Sequence, residues 1–311
     1  MTHQVFIDGR EGTTGLRIYD RLSARDDISL VVLPEQDRKD LAKRKEALNN
    51  CDIAFLCLPD AAAREAVSMV ENPNVKLIDA STAHRTEPGW AYGFPELSPE
   101  HFEAVRNSKR VAVPGCHAGG FVALVYPLLK AGILPADIDI ACHSITGYSG
   151  GGKKMIAQYE NANRDPLLDA PRQYGLTQQH KHLKEMQYIP GLAQPPIFCP
   201  IVSDFYSGMV VTVPVFTKNL LHGAGIEEIK AVYRNLYRGP VVSFCEEIGE
   251  NGFISGCGAL KRDSMKIFVE GNEDRVLLLA RFDNLGKGAS GAAMECMDIM
   301  IGNTPDYGLV L

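Results

Sequence analysis

The hydrophobic positions of this chain fall into two regimes. In the first hundred residues, short apolar runs at Gln4–Asp8, Ile28–Leu33, Cys51–Leu58 and Val75–Asp79 alternate with polar stretches at Asp40–Asn49 and Asp60–Val70, and another polar stretch begins near Pro99. The runs predict strands, and the stretches between them predict helices. Cys51–Leu58 is apolar without alternation, as expected of a central parallel strand covered on both faces. Strand and helix in succession predict a doubly wound α/β sheet. A short strand at Val111–Val113 closes this domain at about residue 115.

Beyond residue 116 the pattern changes. Ile138–Thr146 and Ser207–Phe216 alternate like strands with one face open, and further strands are predicted at Ile197–Val202, Val241–Cys245, Met265–Glu270 and Arg275–Asp283. With helices at Phe121–Gly132 and Gly225–Tyr237, this half reads as an α+β catalytic and dimerisation domain over 116–284. A broad sheet face buries poorly in isolation, so a homo-oligomer, dimer or tetramer, is expected. The small residues after Asp283 open an apolar helix that is expected to complete the first domain over about 285–311. The loop Trp90–Leu97 and the polar segment Asn161–Pro196 carry little periodicity.

Composition narrows the function. An apolar fraction of 45% and a charged fraction of 23% are ordinary for a globular protein, and 311 residues suffice for two cores. The net charge of -6 contains no basic block, so no nucleic-acid partner is expected. No apolar run reaches the roughly 18 residues of a membrane helix. The first residues enter a strand without the regions of a signal peptide, so a cytoplasmic location with reduced thiols is expected. The eight cysteines include no CxxC pair, and no metal is expected.

Two stretches carry candidate chemistry. Gly9, Gly12 and Gly15 lie between a strand and a helix, the context in which a glycine loop brings backbone close to a pyrophosphate at a helix N-terminus. Arg10 within that loop and Arg38 after the second strand suit a 2′-phosphate, so NADP is expected over NAD. The second stretch is Pro114-Gly115-Cys116, a sharp break that places a cysteine at a helix N-terminus, where the dipole favours a thiolate.

A free thiol is only a few per cent ionised at neutral pH. Half-ionisation needs a shift of about 1.5 units, roughly 2 kcal/mol, whereas a helix terminus supplies about 0.3–1 kcal/mol. A nearby imidazolium is therefore wanted, and His182, which shares a helical face with Glu185, is the candidate. Arg85 after the fourth strand, and Ser149 and Lys153 in a glycine-rich turn, are candidate anion ligands. A nucleotide fold with such a thiol predicts hydride reduction of a cysteine thioester.

These motifs, together with Asp79-Ala-Ser81, Tyr92-Gly-Phe-Pro-Glu96-Leu, His180-Lys-His182 and Asn284 with Lys287-Gly288-Ala289, resemble the N-acetyl-gamma-glutamyl-phosphate reductases, in particular their shorter, type 2 branch. The resemblance spans almost the whole chain in one order. It implies a Rossmann-type NADP-binding domain and a glyceraldehyde-phosphate-dehydrogenase-like catalytic domain. It also implies NADPH-dependent reduction of an acyl phosphate in arginine biosynthesis. Cys116 would be the nucleophile, His182 the general acid/base and Glu185 its orienting partner. Tyr174 and His180 would lie by the substrate, with Arg85, Ser149 and Lys153 on its anions. Gly9, Arg10, Gly12, Thr13, Thr14, Gly15, Arg38, Ser81 and Asn284 would hold the cofactor. The rival readings are an aspartate-semialdehyde dehydrogenase, a cysteine hydrolase and a non-catalytic NADP-binding regulator.

Overall fold

The computed structural model describes residues 2–311; Met1, which opens the expected first domain, lies outside them. The chain divides into two compact units.

The first unit comprises the chain through Pro95, Glu100–Pro114 and Ala292–Tyr307. Its elements are β1 (His3–Asp8), α1 (Thr13–Leu22), β2 (Ile28–Val31), α2 (Leu41–Asn50), β3 (Ile53–Leu56), α3 (Asp60–Ser68), β4 (Lys76–Asp79), β5 (Ala91–Tyr92), α4 (Pro99–Asn107) and β6 (Arg110–Ala112). All six strands run parallel in the order β2-β1-β3-β4-β6-β5. All four β3 residues are buried, which is why its sequence shows no alternation. The order reverses between β1 and β3, the point at which such sheets leave a ligand crevice outside their carboxyl ends. Asp40 caps α2 by accepting from the backbone of Ala42 and Lys43. β5, expected to be loop, is a two-residue parallel addition beside β6; glycine and proline neighbours leave it no room to grow.

The second unit holds Glu96–Pro99, Gly115–Gly291 and Gly308–Leu311. Its elements are α5 (Cys116–Lys130), β7 (Ala141–Gly147), α6 (Gly152–Tyr159), β8 (Arg172–Gln173), α7 (His182–Tyr188), β9 (Ile197–Ser203), β10 (Met209–Phe216), α8 (Ile226–Leu236), β11 (Val242–Phe244), β12 (Met265–Gly271), β13 (Arg275–Phe282) and a π-helical turn at Gly286–Ser290, after which α9 (Gly291–Ile301) leads into the first unit. The sheet order is β11-β12-β13-β10-β7-β9-β8, parallel at β11–β12 and β7–β9 and antiparallel elsewhere.

This division differs from the sequence expectation, which assigned 285–311 as one piece to the first domain. Residues 285–291 and 308–311 cluster with the second unit for local reasons. The π-turn bonds back from Gly288 N–H to Asp283 O at 3.0 Å, and Asp263 exchanges hydrogen bonds with Val310.

α5 is buried along most of its length on one face of this sheet. Gly120 permits the contact, because a Cβ there would lie 2.5 Å from Val211 Cγ2 and 2.9 Å from Phe282 Cε1. Pro127 lies inside α5 and has no N–H for the carbonyl four residues back. The orphaned carbonyl of Ala123 accepts instead from Tyr237 Oη at 2.7 Å, and the neighbouring Leu124 carbonyl accepts from Tyr233. Two buried tyrosines of the α8 region thus satisfy the break without unseating the helix that carries Cys116. On the opposite face of the sheet Ile145, Ile197, Phe216 and Leu277 are exposed. Among the described residues no helix is long and apolar enough to cross a membrane.

Candidate active site

In the first unit the glycine loop is shaped by close approach of backbone. Gly9 has φ +87°, and a Cβ there would fall 2.3 Å from Cys57 O at the end of β3. A Cβ on Gly15 would meet Gly9 O at 2.6 Å. Neither position accepts a side chain, which is the cradle a pyrophosphate needs. Gly12 is the N-cap of α1, whose first turn begins with Thr13 and Thr14 and contains no acidic residue. The N-terminus therefore keeps its attraction for an anion.

Beside the loop lies a cleft of about 840 Å³ lined in part by Gly9, Arg10, Leu33, Arg38 and Lys39. Arg38 Nη1 pairs with Glu11 at 2.8 Å, and the Arg10 guanidinium stacks 4.6 Å over Tyr19. Both cations expected to meet a 2′-phosphate thus border one cleft. These features fit a dinucleotide.

Ser81 and Arg85 occupy the loop after β4. Ser81 Oγ donates to Asp79 Oδ2 at 2.7 Å, and His84 Nδ1 lies 2.6 Å from the same oxygen. Arg85 donates from Nε to Val113 O at 2.8 Å and from Nη2 to Ala80 O at 3.2 Å, tying the segments after β4 and β6 together.

In the second unit Cys116, half-buried, is the first residue of α5 with Gly115 as N-cap. In the first unit, burial pushes the thiols of Cys51 and Cys57 each up to about 12. The π-turn presses on Cys116: a Cβ on Gly288 would lie 3.0 Å from Cys116 Cβ.

Glu185, buried on α7, accepts the Gly115 N–H through Oε1 at 2.9 Å. The sequence reading gave Glu185 an orienting role towards His182. In the structure its Oε1 hydrogen bond goes to the turn carrying the thiol. His182 is the first residue of α7, and its N–H donates to His180 Nδ1 at 3.2 Å. That bond makes His180 Nδ1 an acceptor, and burial, with Lys181 adding to it, lowers the His180 pKa. The His180 and His182 rings are 4.7 Å apart.

The sequence reading missed His117. Its Nδ1 is 2.6 Å from Ser144 Oγ and its Nε2 is 2.8 Å from Tyr174 Oη. Burial, helped by His180, pushes its pKa down to about 3. Its ring centroid lies 5.6 Å from that of His182 and 6.0 Å from that of His180. Burial, and secondarily Cys116, raise the Tyr174 phenol. Cys116, His117, Tyr174, His180, His182 and Glu185 therefore form one group.

A second group holds Asn284, whose Oδ1 accepts from Gly208 N–H at 2.8 Å and whose Nδ2 donates to Ser149 Oγ at 3.0 Å. Lys153 is exposed on α6, outside both groups. Among the described residues no three His, Cys, Asp or Glu side chains assemble as metal ligands.

Comparison with known proteins places the chain in a family. Residues 31–105 match the NAD binding domain of semialdehyde dehydrogenases, and residues 116–284 match their dimerisation domain. The chain is 45% identical to the N-acetyl-gamma-glutamyl-phosphate reductase of Trichormus variabilis, covering 98% of this chain and 99% of that one. It is 44% identical to the enzymes of that name from Burkholderia ambifaria, over 96% of each chain, and Sinorhizobium medicae, over 97% and 99%. In fold it resembles aspartate semialdehyde dehydrogenase II of Vibrio cholerae complexed with ASA, with TM-score 0.73, 16% identity and 99% of each chain covered. The aspartate semialdehyde dehydrogenase of Candida albicans with NADP aligns at TM-score 0.66 and 15% identity, over 97% of this chain and 99% of that one. With that fold, and with near-full-length identity to reductases of one name, the chain belongs to the N-acetyl-gamma-glutamyl-phosphate reductase family of semialdehyde dehydrogenases.

Proposed function

We propose that this chain reduces N-acetyl-gamma-glutamyl phosphate to N-acetylglutamate 5-semialdehyde with NADPH, a step of arginine biosynthesis, through a thioester on Cys116. The observation that carries the reading is the arrangement of a half-buried thiol at the start of α5, its turn held by Glu185, with three imidazoles in one cluster beside it.

His182 accepts the thiol proton as sulfur bonds to the acyl carbon. The carbon–oxygen bond to phosphate breaks, and inorganic phosphate leaves with that proton. The cofactor's chemistry is hydride donation to the acyl carbon of the thioester. The carbon–sulfur bond then breaks, the aldehyde departs, and the sulfur regains a proton through His182. His180 is the substrate-side neighbour, its Nδ1 already committed to the His182 backbone.

Gly9, Gly12, Thr13, Thr14 and Gly15 would hold the pyrophosphate, Arg10 and Arg38 the 2′-phosphate, and Ser81 and Asn284 the nicotinamide end. Ser149 shapes the substrate pocket through Asn284. Arg85 and Lys153 would meet the phosphate or carboxylate, with Arg85 held in place through the carbonyls of Val113 and Ala80. The exposed apolar side chains Ile145, Ile197, Phe216 and Leu277 on one face of the second sheet support a homodimer formed through that face. A chemistry that depends on a reduced thiol suits the cytoplasm.

The test is the reverse reaction, phosphate-dependent formation of NADPH from NADP and N-acetylglutamate semialdehyde, followed by nicotinamide absorbance. Turnover with that aldehyde is expected. Turnover of aspartate semialdehyde in its place would transfer the chain to the other substrate, and absence of NADP binding would favour a hydrolase.

A further inference from the structure

The Ser144–His117–Tyr174 chain has no part in the mechanism above, yet it ends beside the thiol. His117 follows Cys116 directly on α5, Ser144 projects from β7, and Tyr174 follows β8. A neutral imidazole has one N–H donor and one acceptor nitrogen, so two arrangements exist. In one, Nδ1–H donates to Ser144 and Tyr174 donates to Nε2. In the other, Ser144 donates to Nδ1 and Nε2–H donates to Tyr174.

Burial decides between them. Ser144 is wholly buried, and among the described residues its hydroxyl makes only the hydrogen bond to His117. The first arrangement strands the Ser144 proton in the interior with nothing to accept it, a costly state for a buried hydroxyl. The second sends that proton into Nδ1. The unmatched proton moves to Tyr174, which is only partly buried.

Building on the reading of Cys116 as the acyl carrier, we propose that His117 is a positioning residue that carries its ring proton on Nε2 and so leaves the Tyr174 O–H as a donor to the acyl oxygen on Cys116. That oxygen gains negative charge when the thioester forms and again when it is reduced, and a pre-aimed phenol donor stabilises it most at those moments. His117 acts only through Tyr174. The His117 ring that holds Tyr174 at 2.8 Å belongs to the residue next to Cys116, and burial, with Cys116 secondary, raises the phenol and keeps it protonated as a donor.

Two measurements test this. Long-range proton–nitrogen correlation spectra of the intact wild-type protein should show His117 protonated at Nε2; protonation at Nδ1 would overturn the proposal whether or not the protein turns over. In the phosphate-dependent assay, His117→Leu and Tyr174→Phe should each lower kcat by about 30-fold with little change in KM for NADP. The double variant should be no worse than either single one, whereas independent effects would multiply to about 900-fold. His117→Gln, whose amide N–H reaches the Nε2 position, should recover to within about fivefold of wild type, and His117→Asn should not. Multiplying losses, or rescue by Asn in preference to Gln, would reduce His117 to a packing residue. If wild-type protein turns over neither semialdehyde, the functional reading fails by itself, and the tautomer still decides the hydrogen-bond direction.

Discussion

Glu185 Oε1 and the Gly115 backbone N–H are joined by a buried hydrogen bond of 2.9 Å, so a carboxylate on one helix sets the turn from which the thiol-bearing helix begins. Glu185→Ala leaves the Gly115 N–H buried and without this acceptor, at a cost of about 1–3 kcal/mol. The expected outcome is a fall in kcat of about 10- to 100-fold, with slower alkylation of Cys116 by iodoacetamide and a lowered Tm. Glu185→Gln retains an oxygen acceptor and should lose clearly less. Equal losses for the two variants at unchanged Tm would show that the charge matters and the acceptor does not.

Cys116→Ser should abolish turnover while NADPH still binds, read by fluorescence titration. Retention of more than about a tenth of the wild-type rate, about 1.4 kcal/mol in barrier, would remove Cys116 from the nucleophile's role. Gly288→Ala probes the same atom by crowding, since the added Cβ would lie 3.0 Å from Cys116 Cβ. A small displacement of the sulfur is enough to lower kcat by about tenfold at nearly unchanged cofactor affinity.

Arg38 borders the first-unit cleft and pairs with Glu11 at 2.8 Å. Arg38→Ala should raise KM for NADPH by about tenfold and leave KM for NADH within about twofold. Glu11→Gln frees the guanidinium from its acidic neighbour and should move KM for NADPH the other way. An equal change for both cofactors would place Arg38 away from the 2′-phosphate.

His117 makes stability depend on pH. Its folded pKa, pushed down to about 3 by burial, lies below the roughly 6.5 of an unfolded histidine. Between those values the unfolded chain binds the extra proton. Stability therefore rises with pH across the window and is lost as pH falls, with a slope for this one group that grows from about 0.7 kcal/mol per unit at pH 6.5 towards about 1.4 kcal/mol per unit near pH 5. The lowered pKa of His180 adds in the same direction. Urea denaturation at pH 5.0, 5.5, 6.0 and 6.5 should show this slope in wild type and a shallower one in His117→Gln. An unchanged slope would mean that His117 does not stay neutral in the fold.

Some parts of this protein were legible without coordinates because their cause is local. Gly9 must be glycine wherever a strand turns this tightly into a phosphate-facing helix. Ile53–Leu56 is apolar throughout because a doubly covered strand has no solvent side, and Cys116 starts a helix because Pro114-Gly115 breaks the chain before it. Other parts had no local mark. β5 and β8 are two residues each and exist only because β6 and β9 offer them an edge. His117 sits in the apolar run of α5, where nothing in its neighbours shows that Ser144 and Tyr174 will meet its two nitrogens. Even the i,i+3 pairing of His182 with Glu185 omitted the partner that the carboxylate reaches across the fold.

The sequence by itself determined the class of fold, the thiol at a helix start and the glycine cradle, because each depends on backbone conformation and periodicity within a few residues. Only the tertiary structure decided which donor each buried acceptor takes. Glu185 finds Gly115 70 positions away, and His117 finds Ser144 and Tyr174 27 and 57 positions away. A buried polar group must be satisfied by whatever packing brings within about 3 Å, and that choice is made by the whole chain at once.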